Sequence, residues 1–141
     1  AVIDNLINNR VILRKVFTQY PLAELSNLTA ISKTDEKFLL NMHEAILKNI
    51  SNPELKMEDL AKMLCMSRTG FYRKINGLLE LSPKEYLRIE RLKEAARLLQ
   101  NGGHSINDIS YMVGFNSPSY FARCFFEHYG VLPKDYLSKS L

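Results

Sequence analysis

Apolar residues recur every three or four positions along most of this chain, and nowhere alternate as a half-buried strand requires. The pattern predicts an all-α protein of about seven helices with an N-terminal helical extension. Segment 35–50 puts Phe38, Leu39, Met42, Ile46 and Ile50 on one face, with Thr34 placed to cap it. Two short amphipathic helices, about 57–64 and 106–113, carry Leu60, Met63, Leu64 and Ile109, Met112, Val113. Each runs into a tight turn, CMS or GFN, and then a second helix, about 68–78 and 118–128. These point Phe71, Ile75, Leu78 and Phe121, Phe125 inward. Ser67, and Asn116 or Ser117, suit their N-caps, and Ser105 with Asp108 resembles a capping box. Segment 83–100 opens on a proline and stops at Gly102-Gly103. Its stripe is Ile89, Leu92, Ala96 and Leu99, with Arg88, Arg91 and Lys93 left polar. A helix over 3–17, with Ile3, Leu6, Leu13 and Phe17 as its stripe, precedes an unstructured-looking stretch. PKDYLSKS reads as a short terminal helix.

The pattern repeats. LSPKEYL (81–87) returns as VLPKDYL (131–137), and the offset of fifty aligns Phe71 with Phe121, Arg73 with Arg123, and Ile75 with Phe125. Further back the offset is forty-nine, so LAKMLCMS (60–67) lies over ISYMVGFN (109–116) and the second copy holds one extra residue near Asn116. Each copy is two helices joined by a turn of three or four residues, which is a helix-turn-helix. The helix between them is about 25 Å long, and with its flanking units could hold two recognition helices about 34 Å apart, one turn of B-DNA.

Charge sharpens this picture only locally. The net charge is +4, with seven basic and six acidic residues in 1–56 and twelve and nine in 57–141. Window 67–77 holds Arg68, Arg73 and Lys74 and no acid, a small basic patch of a kind that is more often a solvated face than a binding site. Cys65 and Cys124 form no CxxC, and the three histidines show no metal-ligand spacing, so no metal or cofactor is expected. No nucleophile–base pair or phosphate loop points to an enzyme. No apolar run is long enough to span a bilayer, and a reduced, cytoplasmic setting is expected. Met57, Met63, Met66 and Met112 read as core filling, Cys65 as a buried small residue, Tyr86 and Tyr136 as core, and His104 and His128 as surface.

GFNSPSYFARCFFEHYGVLPKDYL (114–137) resembles the signature segment of the AraC/XylS family of transcription regulators. The resemblance covers about 35–139. It implies seven helices, two helix-turn-helix units on a linker helix, and recognition helices entering adjacent major grooves of duplex DNA. Residues 3–17, SRTGFYRKI (67–75) and SYFARCF (119–125) are together similar to the C-terminal output region of Bacteroidetes-type hybrid two-component systems. On that reading residues 1–34 are the end of a receiver and its exit linker, and 35–141 the DNA-binding domain. The setting is then the cytoplasm, or the cytoplasmic part of a membrane-anchored sensor-regulator, with no membrane contact by this segment. RNA polymerase and a homodimer through the N-terminal helix are further candidate partners. A surface helix used for packing or dimerisation reads 3–17 nearly as well.

The family's base-reading positions fall on Thr69, Tyr72, Arg73, Ser119, Tyr120 and Arg123. Arginine can pair with guanine O6 and N7, and Thr or Tyr can meet thymine methyls or phosphates. Ser67, Arg68, Lys74, Asn116 and Ser117 suit phosphate contacts, which set register without reading sequence. Tyr120 suits packing on the linker helix as well, and Arg73 and Arg123 suit anchoring a phosphate or a nearby acid. Three departures fall in copy one: Cys65 where copy two has Gly114, Gly70 inside the recognition helix, and Lys56 at an N-cap. The competing function is a helical protein-interaction module with weak or no DNA binding.

Overall fold

Hydroxyl caps set where most of the helices begin. In the computed structural model, which describes the backbone of residues 2–137 and the side chains of residues 10–137, the elements run as follows. Helix α1 is Val2–Gln19, a 3-10 turn covers Leu22–Glu24, α2 is Leu25–Leu28 and α3 is Lys33–Lys48. Then come α4 (Met57–Met63), α5 (Arg68–Leu79), α6 (Pro83–Asn101), α7 (Ile106–Met112), α8 (Pro118–Tyr129) and a 3-10 turn at Pro133–Asp135. Among the described residues α1 is the expected N-terminal extension, α3 to α8 are six of the expected seven helices, a 3-10 turn stands at the start of the seventh, and α2 lies in the stretch expected to be unstructured. The C-terminal part of PKDYLSKS, and the Ile3 and Leu6 side chains, lie outside what is described.

Ser67 Oγ accepts the Gly70 N–H at 3.1 Å, Ser117 Oγ the Tyr120 N–H at 3.1 Å and Ser105 Oγ the Asp108 N–H at 3.0 Å. Each satisfies a first-turn donor that has no helical partner. Ser82 and Glu85 form a reciprocal box at the start of α6. The cap of α3 is Ser32, whose Oγ takes the Asp35 N–H at 3.1 Å, so Thr34 lies inside the helix instead. Lys56 has no side-chain acceptor. Its backbone N–H donates to Asp59 Oδ2 at 3.2 Å, half of a capping box.

The chain divides into two compact units. The first takes the chain up to Leu47 together with Lys56–Leu87, and the second Lys48–Leu55 with the chain from Arg88 on. In the first, α1 packs on α2 and α5, and α4 on α5. Its buried residues include Leu13, Val16, Phe17, Phe38, Leu39, Met42, Ile46, Leu60, Phe71, Ile75 and Leu79. Leu79, not Leu78, completes the inward row of α5 at a spacing of four. Phe17 stacks on Tyr86 with centroids 4.4 Å apart and planes 14° from parallel. The expected packing of the N-terminal helix on the globular part is thus met through Leu13 and Phe17.

In the second unit Leu92, Ala95, Ala96 and Leu99 of α6 close over Ile109, Val113, Phe121 and Phe125. Phe125, Tyr129 and Tyr136 form an aromatic trio with centroids 4.6–5.4 Å apart. Burial of the Tyr129 phenol pushes its pKa well above the ordinary value, keeping it neutral.

Several side chains sit elsewhere than their polarity suggests. Met63 and Met112 are exposed in both copies, and Cys65 is exposed rather than buried. Arg91, expected to be polar and outward, is 8% exposed. Its Nη1 donates to the Gly114 carbonyl at 2.5 Å and its Nη2 to the Asn52 carbonyl at 2.9 Å. Burial lowers its pKa from the ordinary arginine value.

Candidate nucleic-acid interface

The turn before each second helix needs one residue with positive φ. Copy one uses Cys65 (φ 57°) and copy two uses Gly114 (φ 89°). From those turns α5 and α8 emerge with the side opposite Phe71/Ile75 and Phe121/Phe125 turned outward.

On α5 the spacing 69, 72, 73, 76 lays Thr69, Tyr72, Arg73 and Asn76 along one face. With Arg68, Ser82 and Pro83 they line an open concavity of about 560 Å³. Arg68 lies 5.5 Å from the Tyr72 ring centroid and 3.5 Å from Glu58, in an exposed pair worth little in water. Exchanging Glu58 for a phosphate therefore costs Arg68 little. Ser67 spends its lone pair on the Gly70 N–H, so its own hydroxyl hydrogen remains to be donated outward. A Cβ at Gly70 would stand 3.1 Å from that Oγ, which relates this first-turn glycine to room at the cap.

Lys74 is not on this face. Its ammonium lies 3.6 Å from Asp35 and 5.0 Å from the Phe38 ring centroid, which ties it to α3. Asn76, which helical spacing sets beside Thr69, Tyr72 and Arg73, joins the concavity although the family resemblance gives it no contact. The i, i+3, i+4, i+7 spacing from Thr69 is the signal that marks it.

On α8, Ser119, Tyr120 and Arg123 are all exposed. The Arg123 guanidinium lies 5.2 Å from the Tyr120 ring centroid, and that ring leans on Phe115 of the turn at 5.8 Å. The Cys124 thiol beside its hydroxyl raises the Tyr120 pKa, with burial adding to the rise and Arg88 acting against it. At neutral pH Tyr120 therefore offers a hydroxyl that can donate. Ser117 serves its cap while Asn116 stays exposed one residue earlier. Both clusters are thus exposed faces of short capped helices, each holding one tyrosine, one arginine and one hydroxyl residue.

A helix-turn-helix domain family matches residues 60–139, more than half of the chain. The chain belongs to that family, as an AraC-type helix-turn-helix domain. A histidine kinase of Formosa agariphila is 33% identical over 97% of this chain, which spans only 10% of that protein's length. Among solved structures, the C-terminal domain of AraT, a response regulator from Geobacillus stearothermophilus, is similar with a TM-score of 0.63 and 27% identity. That likeness covers 79% of this chain and 88% of the other. The DNA-binding domain of the global transcriptional factor AdpA, solved in complex with a target DNA, gives a TM-score of 0.62 at 27% identity, covering 72% and 90%. No helix among the described residues of this AraC-type domain is long and apolar enough to cross a membrane.

Proposed function

We propose that this AraC-type domain reads duplex DNA as the output segment of a two-component transcription regulator. Each of its recognition helices, α5 and α8, enters a major groove. The observation that carries the reading is the pair of exposed faces, Thr69, Tyr72, Arg73 on α5 and Ser119, Tyr120, Arg123 on α8, in repeats that align Thr69 with Ser119 and Arg73 with Arg123 while each places its tyrosine at a different position. The arginines pair with guanine edges and the hydroxyl residues meet thymine or phosphate. Ser67, Arg68, Asn116 and Ser117, at or next to the helix starts, hold the sugar-phosphate backbone. Lys74 joins them only by leaving Asp35.

The likeness to the kinase from Formosa agariphila and to the AraT response-regulator domain supports the two-component setting. On this reading residues 1–34 are the approach from a receiver and 35–141 the reading domain, working in the cytoplasm. RNA polymerase and a second copy joined through α1 are the protein partners this reading allows. The test is fluorescence anisotropy on a duplex selected by the chain from a randomised pool, against its scrambled version, over a salt series. Binding that prefers the selected duplex and weakens steeply with salt is expected. No binding to either duplex at low salt overturns the reading and leaves a protein-interaction module in its place.

A further inference from the structure

We propose that Arg10 and Arg14 of α1 are positioning residues for recognition helix α5, acting through Glu80. The proposal rests on the DNA-reading assignment and adds a control on one of its two faces.

Helix α5 ends at Glu80, in the left-handed region at φ 54° and ψ 32°, with its N–H bonded to the Asn76 carbonyl at 2.9 Å. Helix α8 ends in the same way at Gly130, φ 76°, whose N–H bonds to the Phe126 carbonyl at 2.8 Å. The two residues are equivalent in the repeat, and glycine is the residue such a position favours. The Glu80 side chain has a use that glycine could not serve. Arg10 Nη1 stands 3.5 Å from its Oε1, and Arg14 Nη1 stands 3.1 Å from its Oε2. Arg10 Nη2 also donates to the Asn76 carbonyl at 3.1 Å, the same oxygen that receives the cap.

Helix α1 therefore grips the last turn of α5 at both its side chain and its backbone. The grip is seated on buried apolar residues, since Leu13, Val16 and Phe17 are covered and Phe17 stacks on Tyr86. The gripped turn carries Asn76, which shares the outward concavity with Thr69, Tyr72 and Arg73. Drawing α1 away releases the end of this reading face. The end of α8 needs no such partner, because Gly130 holds the left-handed conformation unaided. Docking of α1 thus sets how firmly copy one reads and leaves copy two unchanged.

The test compares Glu80→Gly and Arg14→Gln with the unaltered chain. Glu80→Gly keeps the cap conformation, so a residue serving only as a cap would be improved by it, and Arg14→Gln leaves the backbone of α5 untouched. Both variants are checked for folding by circular dichroism. Binding is measured on the duplex selected by the unaltered chain and on duplexes altered at each base pair. Base pairs belonging to copy one are those whose preference Arg73→Ala relaxes. Expected are faster amide exchange in α1 and in the last turn of α5, and affinity lower by about fivefold or more. Discrimination should flatten at the base pairs of copy one only. Unchanged affinity and discrimination in both folded variants, or an equal loss at the base pairs of both copies, overturns the proposal. An unaltered chain that does not distinguish the selected duplex from its scramble overturns the DNA-reading assignment itself, which separates the two failures.

Discussion

Copy one and copy two solve the same backbone problem with different residues. Each needs a left-handed residue in its turn and another at the end of its recognition helix. Copy two uses Gly114 and Gly130, and copy one uses Cys65 and Glu80. A side chain in that region costs roughly 1 kcal/mol relative to glycine. The glycine at 114 has a second reason. A Cβ there would stand 2.2 Å from the Ile50 carbonyl oxygen and 2.6 Å from Arg91 Nη1. The turn of copy two is built around a buried arginine that accepts no neighbour larger than hydrogen. The turn of copy one is open, and Cys65 faces solvent. One recognition helix thus stands on a packed turn, and the other on a looser turn with its far end held by α1.

Substitutions at the equivalent turn positions should break this contrast most sharply. Gly114→Ala combines an unfavourable φ with two impossible approaches, and should destabilise the second unit by about 3 kcal/mol or more in urea unfolding. Arg91→Met removes the donor to both the Gly114 and the Asn52 carbonyl at once. Its expected cost is about 2–3 kcal/mol, seen as faster amide exchange around 50–52 and 113–115. Arg73→Ala and Arg123→Ala should each lose about 1–3 kcal/mol on the selected duplex and relax one or two base pairs. Equal losses on selected and scrambled duplexes would show instead that both arginines hold phosphates. The smallest effect is Cys65→Gly, which relieves strain with nothing to clash, and should gain up to roughly 1 kcal/mol. A Cys65→Gly chain that unfolds more readily would mean that copy one's turn is packed more tightly than its exposure indicates.

Much of this architecture was legible in the sequence because periodicity and caps are local. The two copies, the boundaries of α4 to α8 within about one residue, and the caps at Ser67, Ser105 and Ser117 all follow from residues within one helical turn. What escaped depends on distant partners. Arg91 lies beside the apolar stripe of α6, where its charge predicts a polar position, yet its carbonyl partners are 23 and 39 residues away. Met63 and Met112 show the opposite limit. They sit at the edge of an apolar row whose inner members, Leu60 and Ile109, already fill the space. The cap falls to Ser32 rather than Thr34, two residues on, because Ser32 has Asp35 three residues ahead and takes its N–H, whereas Thr34 has Lys37 there. In the candidate site, Thr69, Tyr72 and Arg73 were found as a motif and do share one concavity. Charge alone groups Lys74 with them, and only Asp35 and Phe38, far back in the chain, reveal that it faces away.

The bond from Arg91 to the Gly114 carbonyl also constrains how such a sequence can drift. While the guanidinium is in place, position 114 accepts no other residue, because any Cβ collides with it and with the Ile50 carbonyl. Were Arg91 lost first, one of those two barriers would go, and the Gly114 and Asn52 carbonyls would be freed to find water or another donor. Lineages descending from this chain should therefore keep both residues or abandon arginine first. A descendant retaining arginine at 91 with a side chain at 114 would have to have moved the strand of backbone that holds Ile50. Position 65 carries no such linkage, so cysteine, glycine and asparagine should exchange there freely while 114 stays fixed.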